Sequence, residues 1–126
     1  DLHQASRVMA ETDLVYYCGE DALNLPWLSI GAAGIVSVVS QVSGELEKAM
    51  IDAVDRSDLP AAREANRRLV PLVEAIMAHM PGAVAAKAAL HLQGVLPHAA
   101  MRGPHVAADA DQLRMLTAVL DSAGLL

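Results

Sequence analysis

The chain has 126 residues, with 15 acidic against 9 basic side chains and a formal charge of −6. Two lysines and seven scattered arginines on an acidic background exclude a phosphate-backbone partner, which needs positive charge clustered on one face. Hydrophobic residues reach 54% and the mean hydropathy is +0.33, but Glu20, Asp21, Glu45 and Asp52 interrupt each apolar run before the roughly 18 residues that a membrane helix needs.

Leu2, Ala5 and Met9 recur at helical spacing and predict a helix over Leu2 to Glu11, read as the end of one that starts upstream. The opening Asp1-Leu2-His3-Gln4 has no basic, apolar pattern of a secretory signal. Leu14 to Cys18 is a β-rich apolar and aromatic run stopped by Gly19. Asp21 is expected to cap a helix running to about Ile30, with Leu23, Trp27 and Ile30 on one face, Pro26 bending its first turn and Gly31 ending it. A short Gly-Ala-Ala-Gly connection leads to a second strand, Ile35 to Val39, apolar except for Ser37. Such continuous apolar strands belong to parallel sheets buried on both faces.

From Ser43 onward the pattern is helical. Leu46, Ala49, Met50, Ala53 and Val54 form one stripe, with Glu45, Lys48, Asp52 and Arg56 opposite. Asp58 and Pro60 mark the next helix start; its stripe runs Leu59, Ala62, Asn66, Leu69, Val73, Ile76 and Met80, with a kink expected near Asn66 to Arg68 because of Pro71. A break at Met80-Pro81-Gly82 precedes a short helix, Ala83 to Gln93, closed by Gly94. After a loop from Val95 to Val106, Asp109 caps a last helix containing Leu113, Leu116 and Leu120, with Gly124 just past its end.

Two strands cannot bury both of their own faces, so a larger assembly is expected. Strand, helix, strand, helix and then further helices is the pattern of an α/β fold: the C-terminal part of a (β/α)8 barrel, its last two strands, followed by a helical extension. Residues 1–57 would supply the barrel units and 58–126 the helical region. Barrel chemistry lies at the carboxyl ends of the strands, so Gly19, Glu20, Asp21, Ser37 and the loop after Val39 form the candidate site. Glu20 and Asp21 read either as substrate contacts or as helix N-terminal capping, and the two are compatible. Gly19 reads as a turn glycine, or as a position of close ligand approach or positive φ.

No catalytic group stands out. Cys18, the single cysteine, reads as a small buried hydrophobe, as expected in a reducing cytoplasm. His3, His79, His91, His98 and His105 show no metal-ligand spacing, so no metal is expected. Ser37 lacks a nucleophile-elbow context, and Lys48 and Lys87 lie on predicted helices rather than in a desolvated pocket. Arg63, Arg67 and Arg68 at helical spacing read as a solvated face or as an anion site.

Tyr16-Tyr-Cys-Gly-Glu-Asp21 followed by Gly31-Ala-Ala-Gly-Ile-Val-Ser-Val38 resembles the seventh and eighth strands of the dihydrodipicolinate synthase family and its pyruvate-aldolase relatives, whose usual forms are Ser-Gly-Asp-Asp and Gly-x-x-Gly-x-Ile-Ser-Val. The resemblance continues through Asp58 to Asn66, Leu69 to Leu72, Lys87 to Leu90 with Gly94, and the Ala-Gly-Leu-Leu ending, and Asp21 to Trp27 is most similar to the forms of high-GC Gram-positive bacteria. It implies a cytoplasmic lyase of lysine and diaminopimelate biosynthesis. In that enzyme a lysine on the sixth strand, upstream of Asp1, forms a Schiff base with pyruvate, whose enamine attacks aspartate semialdehyde. The resemblance implies no cofactor beyond that covalent lysine. Gly19, Glu20 and Asp21 would line the aldehyde rim, the Val36 backbone would contact pyruvate, and Cys18 and Glu20 stand where the family usually has Ser and Asp. The implied partners are the two small substrates, the amino-terminal part of the barrel and the other subunits of a homotetramer, with the helix from Ala22 to Ile30 near a subunit contact. A sister aldolase acting on a sugar acid and a non-catalytic helical interaction module are the alternatives.

Overall fold

The structure, a computed structural model, describes residues 1–126. In chain order it contains α1 (Leu2–Glu11), β1 (Tyr17–Cys18), a 3-10 turn (Asp21–Leu23), α2 (Asn24–Ser29), β2 (Gly34–Ile35), α3 (Ser40–Asp55), α4 (Leu59–Met77), α5 (Gly82–Leu92) and α6 (Ala110–Ser122). No single helix is long and apolar enough to cross a membrane.

The strands are parallel, Tyr17 pairing with Gly34 and Cys18 with Ile35. Flanking bonds from Ala33 N to Tyr16 O (2.8 Å) and from Val36 N to Cys18 O (2.7 Å) complete the ladder. Both strands are shorter than the sequence predicts. Leu14 and Val15 lie outside the ladder, each 70% exposed, because the segment before Tyr16 has no neighbouring strand to pair with. Val38 and Val39 leave β2 for a different reason, since their amides already serve α3. Ser37 Oγ accepts from Ser40 N at 2.8 Å, Asp21 Oδ2 accepts from Val38 N and Val39 N at 3.0 and 3.3 Å, and Val39 is already in the right-handed helical region. These are the donors that the first turn of a helix leaves free, and satisfying them turns the chain into a helix before the expected end of the strand at Val39.

The helix expected from Asp21 to Ile30 is divided into the 3-10 turn and α2, and its buried residues are Asp21, Asn24 and Leu28, in place of the face Leu23, Trp27 and Ile30. Pro26 falls in the first turn of α2, where its missing N–H removes no helical bond. Gly31, at φ 109°, ends this segment, and Gly124, at φ 71°, ends α6; both occupy the region that glycine enters without a Cβ penalty. Helix α3 begins three residues before the expected Ser43, which instead breaks its regularity at φ −133° and ψ 35°.

Asp58 caps α4 through Ala61 N (3.1 Å), and α4 carries Pro71 inside one 19-residue helix. Asp109 accepts from Asp111 N and Gln112 N, while Gln112 Oε1 accepts from Asp109 N, all at 2.9 Å. This reciprocal box satisfies otherwise orphaned amides. Asp109→Ala is expected to lower the unfolding free energy by about 1 kcal/mol, read as a lower denaturant midpoint at unchanged m; Asp109→Asn should retain most of it.

The core joins Leu28, Val39, Val42, Leu46 and Met50 to Leu69, Leu72 and Ile76 of α4 and to Leu116 and Leu120 of α6. Alanines 85, 88 and 89 of α5 are fully buried, which lets neighbouring helices approach closely. Gln93, just past α5, donates through Nε2 to Val42 O and to Leu125 O, both at 3.2 Å.

Candidate substrate-binding rim

Parallel pairing places the ends of β1 and β2 on the same side, so Gly19, Glu20 and Asp21 emerge beside Val36. The four candidate residues thus come from two consecutive βα units at one edge of the sheet. Gly19 is exposed with open space where a Cβ would lie, and its φ is not positive. It is therefore a turn glycine with free space beside it, and the positive φ allowed for in the sequence is absent. Val36 is 70% exposed, with its N–H committed to Cys18 O.

Glu20 and Asp21 differ in burial and in bonding. Glu20 is exposed, and its side chain makes no cap bond to the 3-10 turn. Asp21 is 7% exposed, and it caps a different element from the one predicted. Its Oδ2 takes the amides that open α3, and its Oδ1 accepts from Asn24 Nδ2 at 3.2 Å. One side chain therefore ties the loop after β1 to the loop after β2, across 17 and 18 residues of sequence. A carboxylate with amide donors at a helix N-terminus is in a favourable electrostatic position.

Beneath the rim lies a residue that the sequence reading overlooked. Glu47 of α3 is only 2% exposed, and neither of its carboxylate oxygens has a hydrogen-bond partner; Asn24 Oδ1 is likewise buried and unpaired. Burial pushes the Glu47 carboxyl up to about 7, the Asp21 charge adds to this, and the Asn24 side chain opposes it. The available signal was helical phase, because Glu47 lies four residues after Ser43 and three before Met50, both buried. Assigning Ala49 to the buried stripe hid it; Ala49 is exposed.

Cys18 is fully buried, its thiol donating to Glu20 O at 3.3 Å. Burial raises its pKa, a backbone hydrogen bond from the Glu20 residue opposes this, and the charges of Glu20, Asp21 and Glu47 add to the rise. A thiol held protonated in this way is a poor nucleophile. Ser37 lies past the end of β2, and its Oγ accepts from Ser40 N, the first residue of α3. Lys48 pairs with Asp52 (2.5 Å), and Lys87 donates to Ala100 O (2.6 Å). Arg67 pairs with Glu64 at 2.6 Å on an exposed face. No three His, Cys, Asp or Glu side chains come together as metal ligands.

A cavity of about 330 Å³ adjoins the rim and shares Glu20 and Asp21 with it, but its other walls are Ala22, Met50, one face of α4 between Asn66 and Met77, and Ala78 just past that helix. Val36 and Gly19 are not among them, so this cavity lies on the helical side of the loop and is distinct from the space between the strand ends.

A parallel βα pair with its polar loops at the carboxyl ends and a helical annex behind is the C-terminal part of a (β/α)8 barrel with its extension, and solved barrels superpose on it over its full length. The dihydrodipicolinate synthase from Thermotoga maritima aligns with a TM-score of 0.91 at 29% identity, covering 100% of this chain and 44% of that one. The enzyme from Cyanidioschyzon merolae, solved with lysine bound, aligns at 0.89 and 37% identity, covering 100% and 43%. Residues 1–123 match the Dihydrodipicolinate synthetase family, and the chain belongs to that family. Among curated relatives, the 4-hydroxy-tetrahydrodipicolinate synthase of Kineococcus radiotolerans is 51% identical over 120 residues, 95% of this chain and 39% of that protein. The protein of the same name from Mycolicibacterium paratuberculosis is 41% identical over 126 residues, covering 100% and 41%. The chain thus spans about two fifths of the length of these relatives.

Proposed function

We propose that this chain is the carboxyl-terminal part of a 4-hydroxy-tetrahydrodipicolinate synthase, a cytoplasmic lyase of lysine and diaminopimelate biosynthesis that works as a homotetramer. Residues 1–57 complete its barrel and 58–126 form its helical extension. The observation that carries this reading is the 51% identity to a relative of that name, aligned across the strand-end rim.

In this reading a lysine upstream of Asp1 condenses with the carbonyl of pyruvate, expelling water. Loss of a methyl proton gives the enamine, whose carbon attacks the aldehyde of aspartate semialdehyde. Covalent catalysis of this kind divides one difficult carbon–carbon bond formation into easier steps. The present residues do none of the proton transfers. Val36 offers its backbone at the end of β2 to pyruvate, and Gly19 leaves space for the aldehyde to approach. Glu20 faces the semialdehyde, and Asp21 holds both loops in register. Binding geometry is what such walls contribute, since alignment of the reacting atoms supplies much of a bimolecular barrier. No cofactor beyond the lysine is required.

The test is borohydride reduction of the full-length polypeptide in the presence of pyruvate, read by intact mass. A gain of one reduced pyruvyl group, followed by turnover with aspartate semialdehyde, is the expected result. An adduct without such turnover would redirect the reading to an aldolase for another aldehyde, and no adduct would remove the aldolase reading altogether.

A further inference from the structure

We propose that Glu47 is a positioning residue of the rim, a buried carboxyl that must hold a proton for Asp21 to keep the β1 and β2 loops in their productive arrangement. The inference rests on the aldolase reading above and adds a residue to it.

Three observations converge on Glu47. It is 2% exposed with both oxygens unpartnered, which is tolerable for a neutral carboxyl and costly for a charge. It is near enough to Asp21 for their charges to interact, and Asp21 carries the amides of Val38 and Val39 and so fixes the chain immediately after Val36. The one other buried orphan at this place is Asn24 Oδ1, an acceptor without a donor. A protonated carboxyl is the donor that this group of atoms lacks.

The groups that face Glu47 are few. Asp21 of the 3-10 turn repels its ionised form, Asn24 of α2 favours that form, and Cys18 of β1 feels the charge in turn. On α4, Arg63 and Arg68 are exposed and Glu64 pairs with Arg67, while His79 lies near Glu74 and Lys87 of α5 donates to Ala100 O. Nothing cationic compensates Glu47. When it ionises, a second negative charge appears behind a rim that must accept anionic substrates, and it presses on the carboxylate that holds both loops.

Above neutrality the KM for the semialdehyde should therefore rise about three- to fivefold, the size expected for one added charge at this range in a partly screened site, with kcat little changed. Glu47→Gln keeps the shape and removes the proton equilibrium, so its KM should stay flat from pH 6 to 8.5. A role in packing alone would leave the two pH profiles parallel. A second readout is independent of turnover. In the full-length protein, the 13C carboxyl resonance missing from Glu47→Gln should titrate near pH 7 and shift the Val38 and Val39 amides with the same midpoint.

A carboxyl that titrates below pH 5, or a KM inflection that persists in Glu47→Gln, overturns the inference. If pyruvate forms no adduct at any pH, the aldolase reading fails by itself, and the shared midpoint of Glu47 and the two amides still decides whether Glu47 governs Asp21.

Discussion

Asp21→Ala in the full-length polypeptide is expected to lower the unfolding free energy by about 3 kcal/mol or more, the usual result of stripping a buried, multiply bonded carboxylate from its donors. Three hydrogen bonds end on this side chain, from Val38 N, Val39 N and Asn24 Nδ2. Alanine would leave two backbone amides at the start of α3 without an acceptor, in surroundings where Val39 is fully buried and water cannot substitute. Asp21→Asn retains an oxygen for the Val38 and Val39 amides but loses the charge that strengthens those bonds, and about half the effect is expected. Glu20→Gln, at an exposed neighbour with no cap bond, should leave stability within about 0.5 kcal/mol while raising the KM for the semialdehyde. Urea midpoints for the three variants check the order. An Asp21→Ala midpoint equal to that of Glu20→Gln would show that the loops hold their register without this link.

The second large effect is a stability that falls as pH rises. The Glu47 carboxyl titrates near 7 in the folded protein against an ordinary value of 4.5, so between those values the folded state holds a proton that the unfolded state has released. By linkage this favours folding at the acid end. The advantage is complete below the unfolded value, declines through the window and is gone above about pH 7, with a span of about 3 kcal/mol at most. Glu47→Gln carries no such proton. Relative to the wild type it should be nearly neutral at pH 4.5 and more stable by about 2 kcal/mol at pH 8, because a buried unpartnered charge has been removed. Denaturant titrations of both proteins at pH 5, 6, 7 and 8 measure the difference. Parallel curves would mean that Glu47 is not the titrating group.

Much of the helical architecture was legible because its determinants are local. The pair Asp58 with Pro60, the Asp109 cap, the glycines at 31 and 124, and the periodic stripes containing Leu69 and Ile76 in α4 and Leu116 and Leu120 in α6 act within a turn or two of themselves. The strands were overextended because apolar, β-branched composition marks a propensity, whereas strand length is set by the pairing partner. At Val38 and Val39 propensity lost to three hydrogen bonds, two of them supplied by a residue 17 to 18 positions earlier. The same separation concealed what Asp21 does. Its spacing from Ala22 and Leu23 suggested a local cap, and nothing in the linear sequence reports that its carboxylate reaches the next βα unit. Glu47 was hidden for a subtler reason. An acidic residue in an amphipathic helix is normally assigned to solvent, and only the burial of Ser43, Leu46 and Met50 around it shows that this turn of α3 is enclosed on a wider arc than its polar residues suggest.

The two bonds of Gln93 make the segment after α6 a working part of the barrel unit. Its amide reaches Leu125, past the end of α6, and Val42, directly before the irregular Ser43 of α3. Shortening the chain to Ser122 would vacate one of these acceptors and loosen the hold on the other, so the disturbance would travel to the entrance of α3, on whose first turn Asp21 is anchored. Changes in the segment after α6 are consequently less innocent than changes in the exposed Arg102 to Val106 loop, because they act on the rim at a distance.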